Sequence, residues 1–247
     1  FTALLHEFRT QLDALGRSTG RHYLLTFDSP SNPQKYANID LKAAANKVDF
    51  LTIDGYDYAA PSEKTTNASA ALYNSPADPL RDQARAIDDT VRAYMKAGVP
   101  AAKYTMGIPL YGIGWSGVQA RNHGLYQSAE GPAPVLLADG SGVCPTQSKI
   151  APAPGCDTIL TPGFVTDATL GQVLRRPDAR FWYDSRRQQA AVNISAGRTF
   201  YTFDNLRSVT AKTAYIRQHK LRGAYVWALN DDDANATITK AIAAGLE

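Results

Sequence analysis

Apolar positions recur along this chain in two rhythms, and their order sets the expected fold. Phe1, Leu4, Leu5, Phe8, Leu12 and Leu15 fall at helical spacing until Gly16 and Gly20 end the pattern. Tyr23–Phe27 reads as a short buried strand broken by Pro30. A helix over 38–48 (NIDLKAAANKV) follows, and Phe50–Ile53 predicts a second strand that runs into a polar-aromatic tip, DGYDYAAP. Asp78 and Pro79 offer an N-cap and first-turn pair for an amphipathic helix through Leu80, Ala84, Ile87, Val91, Tyr94 and Met95, closed by Gly98 and Pro100. Lys103–Leu110 predicts a third strand, ending in the aromatic turn YGIGW.

The rhythm changes between about 113 and 202, where Gly, Pro and short strand-like pieces (RFWYD, AVNIS, RTFYTF) predict an α+β insertion. Regularity returns with a helix at 207–219, a fourth buried strand at 223–229 and a terminal helix at 236–246. The expected order is α-βα-βα-β-[insertion]-α-βα. Helices separate the four strands, so all four should be parallel. Residues 1–112 with 203–247 form one partial α/β unit, and 113–202 form the insertion. A complete eight-stranded barrel needs about 250 residues, and the insertion leaves elements for only half of one.

Composition narrows the function classes. Twenty-six Lys and Arg against 23 Asp and Glu give a net charge of +3, and the basic residues are scattered, which argues against nucleic acid. No run of 18 apolar residues exists to cross a membrane. The four histidines show no metal-ligand spacing, and no motif for a nucleotide or other cofactor appears, so neither metal nor cofactor is expected. Cys144 and Cys156 flank a Pro/Gly-rich run and read as a loop-stapling disulfide rather than two free thiols, which would place the protein outside the reducing cytosol. Sequons at Asn67, Asn193 and Asn235 matter only in a eukaryotic secretory pathway. FTALLHEF has no leader character, so any secretory leader is expected to have been removed.

In parallel α/β folds the reacting groups gather beyond the carboxyl ends of the strands. Those ends carry Asp28; Asp54, Tyr56 and Asp57; Tyr111 and Trp115; and Trp227 with Asn230. Carboxylates converging with Tyr and Trp suit a carbohydrate, because aromatic faces stack on sugar rings while acids and phenols bind hydroxyl or amide groups. Asp28 beside Ser29-Pro30 also reads as a turn former, Trp227 as core, and Asp57 as a structural cap. The run Asp231-Asp232-Asp233 lacks cation-site spacing and reads as a solvated loop.

GYDYAA (55–60), the stretch 93–118 through YGIGWSGV, the stretch 200–233 through AYVWALNDDD, LYNSP (72–76) and GLYQ (124–127) together resemble the family 18 chitinases, in that family's order. The resemblance implies a (β/α)8 barrel with an α+β insertion after strand seven. On that template the four strands are strands five to eight, and Phe1 falls in helix four. The family's acidic strand-four motif, DGxDxDxE, whose Glu is the general acid, is absent from this sequence. The chain is therefore expected to be the carboxyl-terminal half, with the other barrel half upstream or on another polypeptide.

The implied activity is retaining, substrate-assisted hydrolysis of β-1,4-linked N-acetylglucosamine, with chitin or chito-oligosaccharides as partners, in a secreted protein. By motif match Tyr56 and Asp57 are catalytic, and Asp54, Tyr111, Trp115 and Trp227 bind substrate. The family usually has Met where Asp54 stands and often Arg where Ile113 stands, which leaves N-glycans open as a substrate. A non-catalytic lectin or inhibitor, or an unrelated α/β domain with packing motifs, are the alternatives. The 247 residues alone are expected to be inactive and to associate through an uncovered sheet face.

Overall fold

In the computed structural model, which describes residues 1–145, 155–159 and 161–247, two sheets share the chain. Helix α1 (Thr2–Thr19) leads to β1 (Thr26–Ser29), the short helices α2 (Pro33–Tyr36) and α3 (Leu41–Ala45), β2 (Phe50–Ile53), α4 (Ile87–Lys96) and β3 (Tyr104–Pro109). The insertion contributes β4 (Tyr111–Ser116), β5 (Gly131–Pro132), β6 (Phe164–Thr166), α5 (Asp167–Val173), β7 (Ala179–Asp184), β8 (Gln189–Ile194) and β9 (Thr199–Phe203). Then come α6 (Leu206–Gln218), β10 (Gly223–Trp227) and α7 (Thr237–Leu246).

The four expected strands pair in parallel, in the order β1-β2-β3-β10. The sheet is open, and no closed barrel forms among the described residues. Its helix-facing side carries Leu51, Ile53 and Met106, packed on Ala44, Ile87 and Val91. Burying each large apolar side chain contributes roughly 1.5–3 kcal/mol. The opposite face is polar: Asp28, Thr52, Thr105 and Tyr225 share it by register and alternation. Trp227, exposed at the end of β10, lies on the same face by alternation.

Three elements differ from the sequence reading. The first strand starts at Thr26 rather than Tyr23, because pairing begins at Thr26↔Phe50 and the Leu25 amide bonds the Asp49 carboxylate instead, at 2.7 Å. The helix expected from Asp78 starts only at Ile87. A short 3-10 turn (Arg81–Gln83) and Ala84 at φ 53° interrupt it. Asp78 does cap a turn, through the Leu80 amide at 2.8 Å, but its main partners are Arg187 and Asn67. In α1 only Leu5 is buried, while Phe1, Leu4, Phe8 and Leu15 are exposed.

The insertion sheet is antiparallel, ordered β5-β4-β9-β8-β7, with β6 also on β4. All three expected strand pieces form it, as β7, β8 and β9. Cys144 and Cys156 are disulfide-bonded, with Cα atoms 5.5 Å apart. The disulfide expected from the sequence is thus formed.

Candidate active site

The tip of β2 creates the site by backbone constraint. A Cβ at Gly55 would sit 2.1 Å from the Gly107 carbonyl of β3, so only glycine lets the chain leave the sheet there. Asp57 then adopts φ 58°, a left-handed conformation that Asp tolerates better than most residues. These two turns put Tyr56 inward and Asp57 at the mouth.

Around them the aromatic groups interlock. The Tyr111 hydroxyl donates to Asp57 Oδ1 at 2.7 Å, and the Tyr56 ring meets Tyr111 edge-on at 5.9 Å. Tyr56 also contacts Tyr225 edge-on, with their hydroxyls 3.1 Å apart. The Tyr225 hydroxyl donates to Asp54 Oδ1 at 2.6 Å and lies 3.3 Å from Asp28 Oδ1. Asp28 in turn accepts from Thr52 at 3.0 Å. Trp227, at the end of β10, is 61% exposed, and its peptide bond to Ala228 is cis.

Asp57, Tyr111, Phe164, Trp227 and Asn230 line a cleft of about 460 Å³. A second cleft of about 610 Å³ lies on the other side of Asp57, among Asn32, Tyr36, Glu63 and Arg85. Asp57 therefore stands between an aromatic and a polar recess. Loss of solvation raises its pKa; the Tyr111 hydrogen bond opposes that and Asp54 reinforces it. Asp28 is raised for the same first reason and by Asp54. Burial holds Tyr56, Tyr111 and Tyr225 far above the ordinary phenol value, so all three keep their protons.

The segment between Tyr56 and Ile87 is clamped to the insertion. Arg187, fully buried, donates to Asn67 Oδ1 at 2.8 Å and Tyr126 at 2.7 Å and pairs with Asp78 at 3.3 Å. The Ser69 and Ala70 amides donate to Thr202 and Gln189, and the Leu72 amide to the Arg187 carbonyl.

Tyr56, Asp57, Tyr111 and Trp227 thus come together, and Asp54 reaches them through Tyr225. Trp115 does not. It is 0% exposed, one residue from the end of β4, with its ring stacked on Phe200 at 6.0 Å, so it has no free face for a ligand. Its place between the paired strands β5 and β9 turns it into the insertion's core. Tyr225 and Arg187 escaped the sequence reading. Alternation in GAYVW, which puts Tyr225 on the face of Trp227, was the available signal for the first; nothing local marks the second.

Comparison with known proteins identifies the chain's relatives. The chain matches Glycosyl hydrolases family 18 over residues 1–232. It is 32% identical to Chitinase A1 of Niallia circulans over all of this chain and 33% of that protein. It is 28% identical to Chitinase B of Serratia marcescens over 98% of this chain and 53% of that one. The chain thus spans about a third to a half of these relatives. Among solved structures, the psychrophilic chitinase B catalytic domain from Arthrobacter TAD20 superposes with a TM-score of 0.78 at 27% identity, covering all of this chain and 50% of that one. Chitinase ChiA74 from Bacillus thuringiensis shares the fold at a TM-score of 0.84 and 24% identity, covering all of this chain and 39% of that one. With most of its length inside the family's profile, the chain belongs to the glycosyl hydrolases of family 18.

Proposed function

We propose that this chain supplies the non-acid half of an active site that hydrolyses β-1,4 linkages between N-acetylglucosamine units of chitin, in a secreted enzyme. The observation that carries this reading is the convergence of Asp57, Tyr111 and Trp227 on one cleft, with Tyr56 packed edge-on behind Tyr111, in a family 18 chain. The chitinase names of its relatives support the substrate class, and a class V chitinase of the same fold has been solved in complex with NAG4.

The chemistry is retaining and assisted by the substrate. The 2-acetamido carbonyl oxygen attacks the anomeric carbon as the glycosidic C–O bond breaks, and the departing oxygen takes a proton from a carboxylic acid. Water then adds to the oxazolinium ion at the anomeric carbon, returning its proton to the same acid and restoring the acetamide with retained configuration. That acid is the Glu of the DGxDxDxE motif, which we place upstream of Phe1 on the missing barrel half. Tyr56 holds the acetamide in attacking position, a proximity effect. Asp57, braced by Tyr111, binds the sugar beside the scissile bond, and the exposed Trp227 indole floors that position.

The test is turnover of a fluorogenic chitobioside by the full-length protein and by Tyr56→Phe and Trp227→Ala. Loss of about a hundredfold or more in either supports the assignment. Full activity in both variants overturns it, and tight oligosaccharide binding with no turnover identifies a chitinase-like binder.

A further inference from the structure

We propose that the antiparallel insertion carries a second ligand site, a recess between β7, β8 and the turn at 118–123, which takes sugar chains bearing carboxylates, such as uronate polysaccharides. The recess shares no lining residue with either cleft beside Asp57. It stands or falls independently of the amino-sugar reading above.

The recess measures about 510 Å³. Strand alternation puts Arg180 and Trp182 of β7 on one face of the sheet, and antiparallel pairing sets Asn193 of β8 opposite Arg180 on that face. The Asn193 side-chain amide donates to the His123 carbonyl at 2.5 Å. Gly124 lets the turn lie this close, since a Cβ there would sit 2.7 Å from Asn193 Oδ1. His123 is thereby laid flat on Trp182, with ring centroids 4.3 Å apart and planes 4° from parallel. Trp182 packs against the cluster of Leu125, Ala191 and Phe200, whereas His123 is exposed and turns the outer face of its imidazole to solvent. The platform is thus held in place before a ligand arrives, which lowers the cost of binding.

A flat ring of this kind suits a sugar, because the π density of an aromatic face attracts the C–H hydrogens along one side of a pyranose. Charge decides which sugar. Arg180 and Arg198 line the recess, and among the described residues no Asp or Glu does. Arg180 Nη1 meets only the carbonyls of Pro177 and Ala179, at 2.8 and 3.2 Å. Arg198 donates Nη2 to the Gly117 carbonyl and lies 3.4 Å from Glu130, a pair more than half exposed on both sides and so weak enough to exchange for a ligand. Asp178, just before β7, is already paired with Arg176 at 2.9 Å. Two guanidiniums beside a stacking face match carboxylates spaced along a chain. An acidic peptide would satisfy the arginines and leave the imidazole face unused, which favours the saccharide.

The test is isothermal titration calorimetry of the full-length protein with four probes: a tetramer of β-1,4-linked glucuronate, cellotetraose (the same backbone without carboxylates), tetraglutamate and inorganic phosphate. The tetrauronate should bind at least about tenfold more tightly than the other three, the worth of one charge-assisted hydrogen bond, and added salt should weaken it. Arg180→Gln and Arg198→Gln should each weaken it about tenfold, and His123→Ala should weaken it as well. All three side chains are exposed, so the variants should stay folded, which thermal melts check. Trp227→Ala, in the cleft beside Asp57, should leave tetrauronate affinity intact. No tetrauronate binding overturns the proposal, as does unchanged affinity in any of the three recess variants. Equal binding of cellotetraose, tetraglutamate or phosphate also overturns it, and a loss in Trp227→Ala would move the binding to the other cleft.

Discussion

Replacing Arg187 with Met removes the clamp between the site loop and the insertion, and its effect can be sized. The guanidinium and Asp78 are both fully buried, 3.3 Å apart, and the same Nη1 also serves Asn67 and Tyr126. Removing one member of a buried pair destabilises by about 3–5 kcal/mol, because the other charge is left unpaired. Asp78 would still accept from Asn67 Nδ2, 3.0 Å from both its oxygens, and from the Leu80 amide. Arg187 Nε and Nη2 have no partner to lose. Both facts favour the lower end, about 3 kcal/mol. For a chain of this size each kcal/mol moves the melting temperature by about 2–4 °C, so Arg187→Met should melt about 6–12 °C lower by calorimetry or circular dichroism. Pairing it with Asp78→Asn should recover part of that loss, giving a coupling energy well above about 0.5 kcal/mol. A fall of under about 2 °C, or two strictly additive single effects, would refute the idea that this ion pair holds the loop.

Three further outcomes are expected. Asp57→Asn should melt higher than wild type at pH 7: burial raises the folded pKa of Asp57, so its ionised form destabilises, and the advantage should vanish as pH falls below the unfolded value of 3.8. Wild type melting higher than the variant at pH 7 would contradict that sign. Asp167, pushed up to about 7 by burial and then by Asp232, Asp233 and Asp204, should make the protein lose stability steadily from pH 4 to pH 7; urea melts of Asp167→Asn should lack that component, and parallel pH profiles for the two proteins would disprove it. Removing the Cys144–Cys156 link, which closes a loop over a separation of 12 residues, should cost about 2–3 kcal/mol; identical denaturation midpoints for wild type and a double Cys→Ser variant would count against a stabilising role.

The parallel sheet was legible because each of its strands is a short apolar run between helical patterns, which periodicity detects well. The start of α4 was misread because the turn that Asp78 caps stops at a 3-10 segment and a left-handed Ala84 instead of running on into the helix. Arg187 lies more than a hundred residues away and claims the carboxylate. Tyr56, Asp57 and Trp227 were readable from strand ends and motif. Trp115 was not, since the motif that names it says nothing about which side of β4 it packs on, and Phe200 decides that. In the sequence Tyr225 is only one position of the buried strand expected at 223–229. Its role depends on Asp28 and Asp54, carboxylates brought beside it only by sheet order.

The clamp also limits how this scaffold can be recombined. Residues 111–203 look like a cassette, yet the segment after Tyr56 hangs its Ser69, Ala70 and Leu72 amides on acceptors inside that cassette. Exchanging the insertion for a relative's would strand those donors away from water, so a working chimera must transplant 56–86 and 111–203 as one piece.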